Sequence, residues 1–234
     1  PPMATTSKKE SSDGARKAPP RSQSAKRKKY TGKHQKKRRF PLVPVVVILF
    51  LLVIAGIVMN LTTLGQMMKL GRDHVPNWVD VQILDETSGG RRTEKLDGVK
   101  DIAIHYVANP GSTAQQNHDY FDQPETEVSA HFLVGLDGEV IQCLPMRERS
   151  AATNERNIDT ISIEVCHPDE TGQFNPATYE SLVKLTAWLC DYCSIGRDRV
   201  IRHYDVTGKA CPLYFVDHPE AWTQFLADVA ACDS

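Results

Sequence analysis

The sequence predicts an α/β domain, with a mixed central β-sheet flanked by helices, preceded by a disordered basic tail and one transmembrane helix. Three observations carry this reading: a split in charge along the chain, one long apolar run, and an alternation of strand and helix patterns beyond residue 78. The formal net charge of the 234 residues is −1. That average hides two opposite parts. Residues 1–39 hold 14 Lys and Arg against 2 acidic residues, a net of +12, and the remainder carries −13. No charged residue lies between Phe40 and Met68. A uniform soluble globule is excluded, and so is a nucleic-acid-binding body, because the large folded part is acidic.

Residues 1–39 are mostly Lys, Arg, Ser, Pro, Gly and Thr. Such a segment cannot bury enough apolar surface to offset its chain entropy and is expected to be disordered. Residues 40–61 follow, with Asn60 as their one strongly polar side chain. As a helix they extend roughly 33 Å at about 1.5 Å per residue, close to the thickness of a bilayer core. A buried core helix would show a polar face, and residues 45–59 have none. A cleaved signal peptide would need a small-residue cleavage site, for which Met59-Asn60-Leu61 is a poor candidate. The segment therefore reads as a signal anchor. Lys36, Lys37, Arg38 and Arg39 abut it and are expected to stay in the cytoplasm, which places later residues outside a single-pass cell membrane protein. The basic run is read as a topology signal with some attraction for anionic lipid rather than as a nucleic-acid site.

Residues 62–77 read as a stalk and residues 78–234 as the outer domain. Residues 79–84 and 102–107 are strand candidates, and residues 113–121 read as a short helix. Residues 130–135 and 139–143 flank Leu136-Asp137-Gly138, a hairpin signal. Residues 161–165 form another short apolar strand. Asn175 and Pro176 suit the start of a helix, whose stripe runs Tyr179, Leu182, Val183, Thr186, Leu189, Cys190 and Cys193, with Gly196 as its expected stop. Residues 200–202 read as a brief strand. Pro219 opens a last helix with Trp222, Phe225, Leu226 and Val229 on one side. Strands and helices in this order suggest a mixed sheet covered by helices.

Candidate chemistry gathers at strand ends. His105 lies near the end of one apolar strand and His203 just after another, and Cys211 follows in a loop with Gly208 and Pro212. Two imidazoles and a thiolate with a fourth position open is a catalytic zinc pattern. Spacing alone is a weak signal, since the chain has eight histidines and most histidines are ordinary core or surface residues. His131 alternates with apolar neighbours and reads as lining or structural rather than as a ligand. His118, His167 and His218 read as surface or local hydrogen-bonding groups. Apart from Cys211, five cysteines remain: Cys143, Cys166, Cys190, Cys193 and Cys232. Cys190 and Cys193 form C-x-x-C on a helical stripe, where core packing is favoured over a disulfide to Cys232 or a redox or metal role.

Four strings occur in a fixed order: Ile102-Ala103-Ile104-His105-Tyr106; Val128-Ser129-Ala130-His131-Phe132-Leu133-Val134; Asn157 through Ile161-Ser162-Ile163-Glu164; and Arg202-His203-Tyr204-Asp205-Val206-Thr207-Gly208-Lys209-Ala210-Cys211-Pro212. Together they resemble the zinc-dependent N-acetylmuramoyl-L-alanine amidases, a family that includes phage lysozyme-type amidases, AmpD-like enzymes and animal peptidoglycan-recognition proteins. The resemblance covers roughly residues 78–230. It implies that His105, His203 and Cys211 bind zinc, and that Glu164 and Lys209 assist catalysis. The chemistry agrees. Zinc activates water at neutral pH, a carboxylate relays its proton, and a cation stabilises the oxyanion.

The chain departs from the family pattern in two places. Ala130 stands where some members carry a catalytic Tyr, which favours the Glu164-based variant. Ser150-Ala151-Ala152-Thr153 lacks a His found there in many members. Cys211 as third ligand, where others use Asp, lies within the family's range. The reading is thus a membrane-anchored, wall-facing peptidoglycan amidase, with peptidoglycan and the membrane as partners and no nucleic acid. Its alternatives are a peptidoglycan-recognition domain that binds without cutting and a related zinc amidohydrolase acting on another amide.

Overall fold

A long helix, α1 (Leu42–Leu70), opens the described part of the chain, which is residues 42–233 of a computed structural model. The tail expected at 1–39 lies outside the described residues. The chain divides into two units, 1–45 and 46–234, and the first contributes only the opening residues of α1 to the description. Val43–Leu70 is long and apolar enough to cross a membrane. The large apolar side chains from Val46 to Leu61 are 40–66 % exposed, so none of the described residues covers them.

Beyond Leu61 the same helix continues through the first residues of the expected stalk and becomes part of the domain. The Gln66 amide donates from Nε2 to the carbonyls of Val99 (2.9 Å) and Cys193 (2.7 Å), and its Oε1 accepts from the Val99 N–H at 2.8 Å. Leu70 is fully buried in the main core. Past the helix end, Asp73 Oδ1 accepts from Gln142 Nε2 at 2.9 Å and from the Met146 N–H at 3.0 Å. Leu70→Ala is therefore expected to destabilise the domain by about 2–5 kcal/mol, the usual range for a buried leucine. Denaturant unfolding monitored by tryptophan fluorescence checks this, and a change below 1 kcal/mol would contradict the packing.

Six strands form one sheet in the order β1-β4-β3-β5-β2-β6. They are β1 (Val79–Val81), β2 (Asp101–Tyr106), β3 (Phe132–Val134), β4 (Val140–Gln142), β5 (Thr160–Val165) and β6 (Val200–Arg202). Strands β3, β5, β2 and β6 run parallel to one another, and β4 pairs antiparallel with β3 across the Asp137-Gly138 hairpin. Gly138 takes φ +80°, the left-handed conformation this tight turn needs. The period-two alternation of each strand assigns its side chains to two layers. Ile102, Ile104, Phe132, Val134, Ile161, Ile163 and Val165 face the larger core. That layer is covered by α3 (Pro176–Cys193) and α6 (Pro219–Ala231). Leu133, Ile141 and Cys143 face a smaller core with α2 (Ala114–Phe121), whose Thr113 N-cap and Gln116 form a capping box.

Helix α3 starts as expected, with Asn175 Oδ1 accepting from the Thr178 N–H at 3.0 Å. It stops earlier than Gly196. The left-handed cap is Ser194 at φ 55°, and Gly196 has ordinary extended backbone. Two short helices, α4 (His203–Thr207) and α5 (Leu213–Asp217), were not expected from sequence. Five residues are too few to display a helical period.

Candidate metal centre and active site

The same alternation that builds the core places the candidate residues on the smaller layer. His105 and Glu164 are register partners on adjacent parallel strands β2 and β5, so they point to one face near the carboxyl ends of both. His203 begins α4 directly after β6, the other neighbour of β2. Carboxyl ends of parallel strands are where open α/β sheets assemble ligand sites. The chain then returns. Gly208 caps α4 at φ 75°, and the Tyr204 N–H donates to Cys211 O at 2.9 Å. This fold-back carries Cys211 beside the two histidines. Arg202 braces it, donating to Asp205 and to Phe215 O.

One ring nitrogen from each histidine and the Cys211 sulfur lie within 4.8 Å of one another, and all three residues are buried. His105 Nδ1 is 3.8 Å from Cys211 Sγ. Both Nε2 atoms have partners. His105 Nε2 is 3.1 Å from Thr153 Oγ1, and His203 Nε2 is 2.9 Å from Asn154 Oδ1. Burial holds both imidazoles below their usual pKa, reinforced by Lys209 and, for His105, by His203. Neutral imidazoles with available nitrogens are the form a metal needs. Burial also pushes the Cys211 thiol up to about 12. A bound cation would reverse that and favour the thiolate. Two nitrogens and one sulfur suit zinc.

Glu164 stands beside this trio, its Oε1 3.9 Å from His105 Nδ1. Its Oε2 is buried with no hydrogen-bond partner among the described residues. Desolvation raises its carboxyl to about 8, against the opposing pull of Lys209. Lys209 and Glu164 share a cleft of about 400 Å³ with Tyr106, Gln116, Asn117 and Tyr120. All five sequence-predicted site residues thus converge at one place. His131 lies apart from the trio. It accepts from the Ser162 N–H at Nδ1 (3.0 Å) and donates from Nε2 to Glu148 O (2.8 Å), and burial lowers it to about 4. It ties three segments together beneath the site. His118 is neither at the surface nor bonded chiefly within its own segment: it is buried and reaches Gln82 O, 36 positions away, whereas His167, also buried, bonds locally to Asp169 O, and His218 sits beside Glu220.

All six cysteines have free thiols. Cys190 and Cys193 are fully packed into the larger core, as their stripe suggested. Sequence reading missed Thr153, Asn154 and the lining of the cleft on α2. The first two lie in a segment with no periodicity. Their one local signal was an Asn before a short turn, a residue type that tolerates the left-handed conformation found there (φ 54°).

A family model described as N-acetylmuramoyl-L-alanine amidase matches residues 95–213, a segment that contains His105, Glu164, His203, Lys209 and Cys211. The N-acetylmuramoyl-L-alanine amidase CwlL of Bacillus licheniformis is 30% identical over 148 residues, covering 56% of this chain and 41% of its own length. The amidase BlyA of Bacillus subtilis (strain 168) is 30% identical over 158 residues, covering 58% and 42%. The chain therefore spans about 40% of the length of these curated relatives. Among solved structures, the catalytic domain of XlyA superposes with a TM-score of 0.57 at 24% identity, over 64% of this chain and 98% of that one. A mutant endolysin from Bacillus subtilis gives 0.57 at 26%, over 64% and 97%.

Proposed function

The chain belongs to the N-acetylmuramoyl-L-alanine amidase family, and from that premise we propose that it hydrolyses the amide between the lactyl group of N-acetylmuramic acid and L-alanine of the peptidoglycan stem peptide. The observation that carries the reading is the buried His105, His203 and Cys211 trio with Glu164 beside it, Glu164 sharing a cleft with Lys209. A domain that only binds stem peptides has no need of that combination.

In this reading His105, His203 and Cys211 hold zinc, which when bound supplies Lewis acidity to an attacking water and to the scissile carbonyl. Glu164 is the general base. Its raised carboxyl pKa suits both halves of the relay, taking a proton from the attacking water and returning it to the leaving nitrogen of L-alanine. The carbonyl carbon gains the water oxygen and loses the nitrogen, leaving a lactyl carboxylate and a free amine. Lys209, across the same cleft, stabilises the oxyanion that develops on the carbonyl oxygen. Incubating the detergent-solubilised chain with purified peptidoglycan and identifying the new ends by mass spectrometry tests the assignment. Free L-alanine amino termini are expected, and intact stems with bound protein would favour the binding module.

The proposal includes an anchor at residues 40–61, with the basic tail in the cytoplasm and the domain facing the cell wall. Supporting it are the apolar, uncovered part of α1 and the basic cluster that precedes it. Tethering keeps an enzyme near a polymer that cannot diffuse to it. Protease added to protoplasts is expected to digest the domain and spare the tail, and protection of the domain would refute this orientation.

A further inference from the structure

The two histidines of the trio are held from behind by consecutive residues of a single loop. Thr153 Oγ1 meets His105 Nε2, and Asn154 Oδ1 meets His203 Nε2. We propose that Thr153 and Asn154 are positioning residues that fix both imidazoles with Nε2 protonated and Nδ1 bare, so that one loop sets the ligand geometry for both. This deepens the zinc reading above and rests on it.

The Asn154 contact sets the proton position at His203, and the hydroxyl chain behind His105 is compatible with the same tautomer there. A carboxamide oxygen only accepts, so His203 must donate from Nε2, and a neutral ring then leaves Nδ1 with its lone pair free. Thr153 is part of a buried hydroxyl chain. Its Oγ1 is 2.9 Å from Ser162 Oγ, which is 3.0 Å from Ser150 Oγ. The chain can run in one sense throughout, with His105 Nε2–H donating to Thr153, Thr153 to Ser162 and Ser162 to Ser150. All three hydroxyl residues are fully buried, so no water competes for these bonds. His105 then presents Nδ1 toward Cys211, the direction observed.

The loop is built to hold this register. Asn157 Oδ1 accepts from the N–H groups of Ala152 (3.1 Å) and Thr153 (2.7 Å). The Ala151 N–H donates to Ser129 Oγ at 3.0 Å. Asn154 itself adopts φ 54°, which turns the chain so that neighbouring side chains reach different rings. Outer contacts of this kind fix tautomer and ring orientation in metal sites.

The test uses the full chain in detergent. Zinc affinity is measured by competition with a chromophoric chelator, and histidine tautomers of the metal-free chain by ¹⁵N NMR. Thr153→Val removes the acceptor while keeping shape, and Asn154→Gly removes it while keeping the left-handed backbone. Each is expected to weaken zinc binding by roughly 10–100-fold. Thr153→Ser and Asn154→Asp keep an acceptor and are expected to stay within about threefold of the parent, by the same argument. The metal-free parent is expected to show Nε2–H tautomers at His105 and His203. Unchanged affinity in Thr153→Val and Asn154→Gly would overturn the proposal. So would an equal loss in the conservative pair, or an Nδ1–H tautomer at His203. A parent that takes up no zinc overturns it together with the zinc assignment. A parent that binds zinc with these tautomers yet cuts no peptidoglycan defeats the proposed activity and leaves this inference intact.

Discussion

Glu164→Ala is expected to lower kcat by roughly 10²–10⁴-fold, the usual contribution of a positioned proton-transfer group. Zinc content and muropeptide binding are expected to stay near those of the parent, because Glu164 is outside the ligand trio. The loss falls on kcat since the proton moves in the transition state. Glu164 reaches the site because it is the register partner of His105, and its buried, unpartnered Oε2 has no structural bond to lose. Lys209→Ala, by analogy with removal of one oxyanion donor, is expected to cost on the order of 10²–10³-fold in kcat. A rise in KM alone would mean that Lys209 holds substrate instead. A zinc-loaded Glu164→Ala chain with undiminished kcat would remove Glu164 from the mechanism.

His203→Ala is expected to abolish activity by a different route, through loss of the metal. With three protein ligands, removing one strips or greatly weakens zinc. Measured by elemental analysis after dialysis, the parent is expected to hold about one zinc per chain, the stoichiometry of such a three-ligand site, and the variant far less. Activity and metal content are expected to fall together, whereas in Glu164→Ala they separate. A His203→Ala chain with full metal content and turnover would show the ligand set to be wrong.

Most of the fold was legible in the sequence because its causes are local. Short compact apolar runs marked β2 and β5, the Asp137-Gly138 turn marked the β3–β4 hairpin, and Asn175-Pro176 marked the start of α3. His105, Glu164, His203, Lys209 and Cys211 were named through the family resemblance that their strings carry, and α1 from composition alone. What the tertiary structure decided is whatever depends on residues distant in sequence. It joined the end of α1 to the domain, since Gln66 finds partners at Val99 and Cys193 that no local pattern announces. It placed the helix stop at Ser194, where a left-handed serine is held by backbone hydrogen bonds, its own N–H to Asp191 O and the Ile195 N–H to Cys190 O. It set Thr153 and Asn154 behind the two histidines, 48 and 49 positions away from them in the chain. A hydrogen bond across such a separation leaves no periodicity in the sequence. The residues that supply it look like any others in a loop until the sheet register brings the strands, and with them the rings, into place.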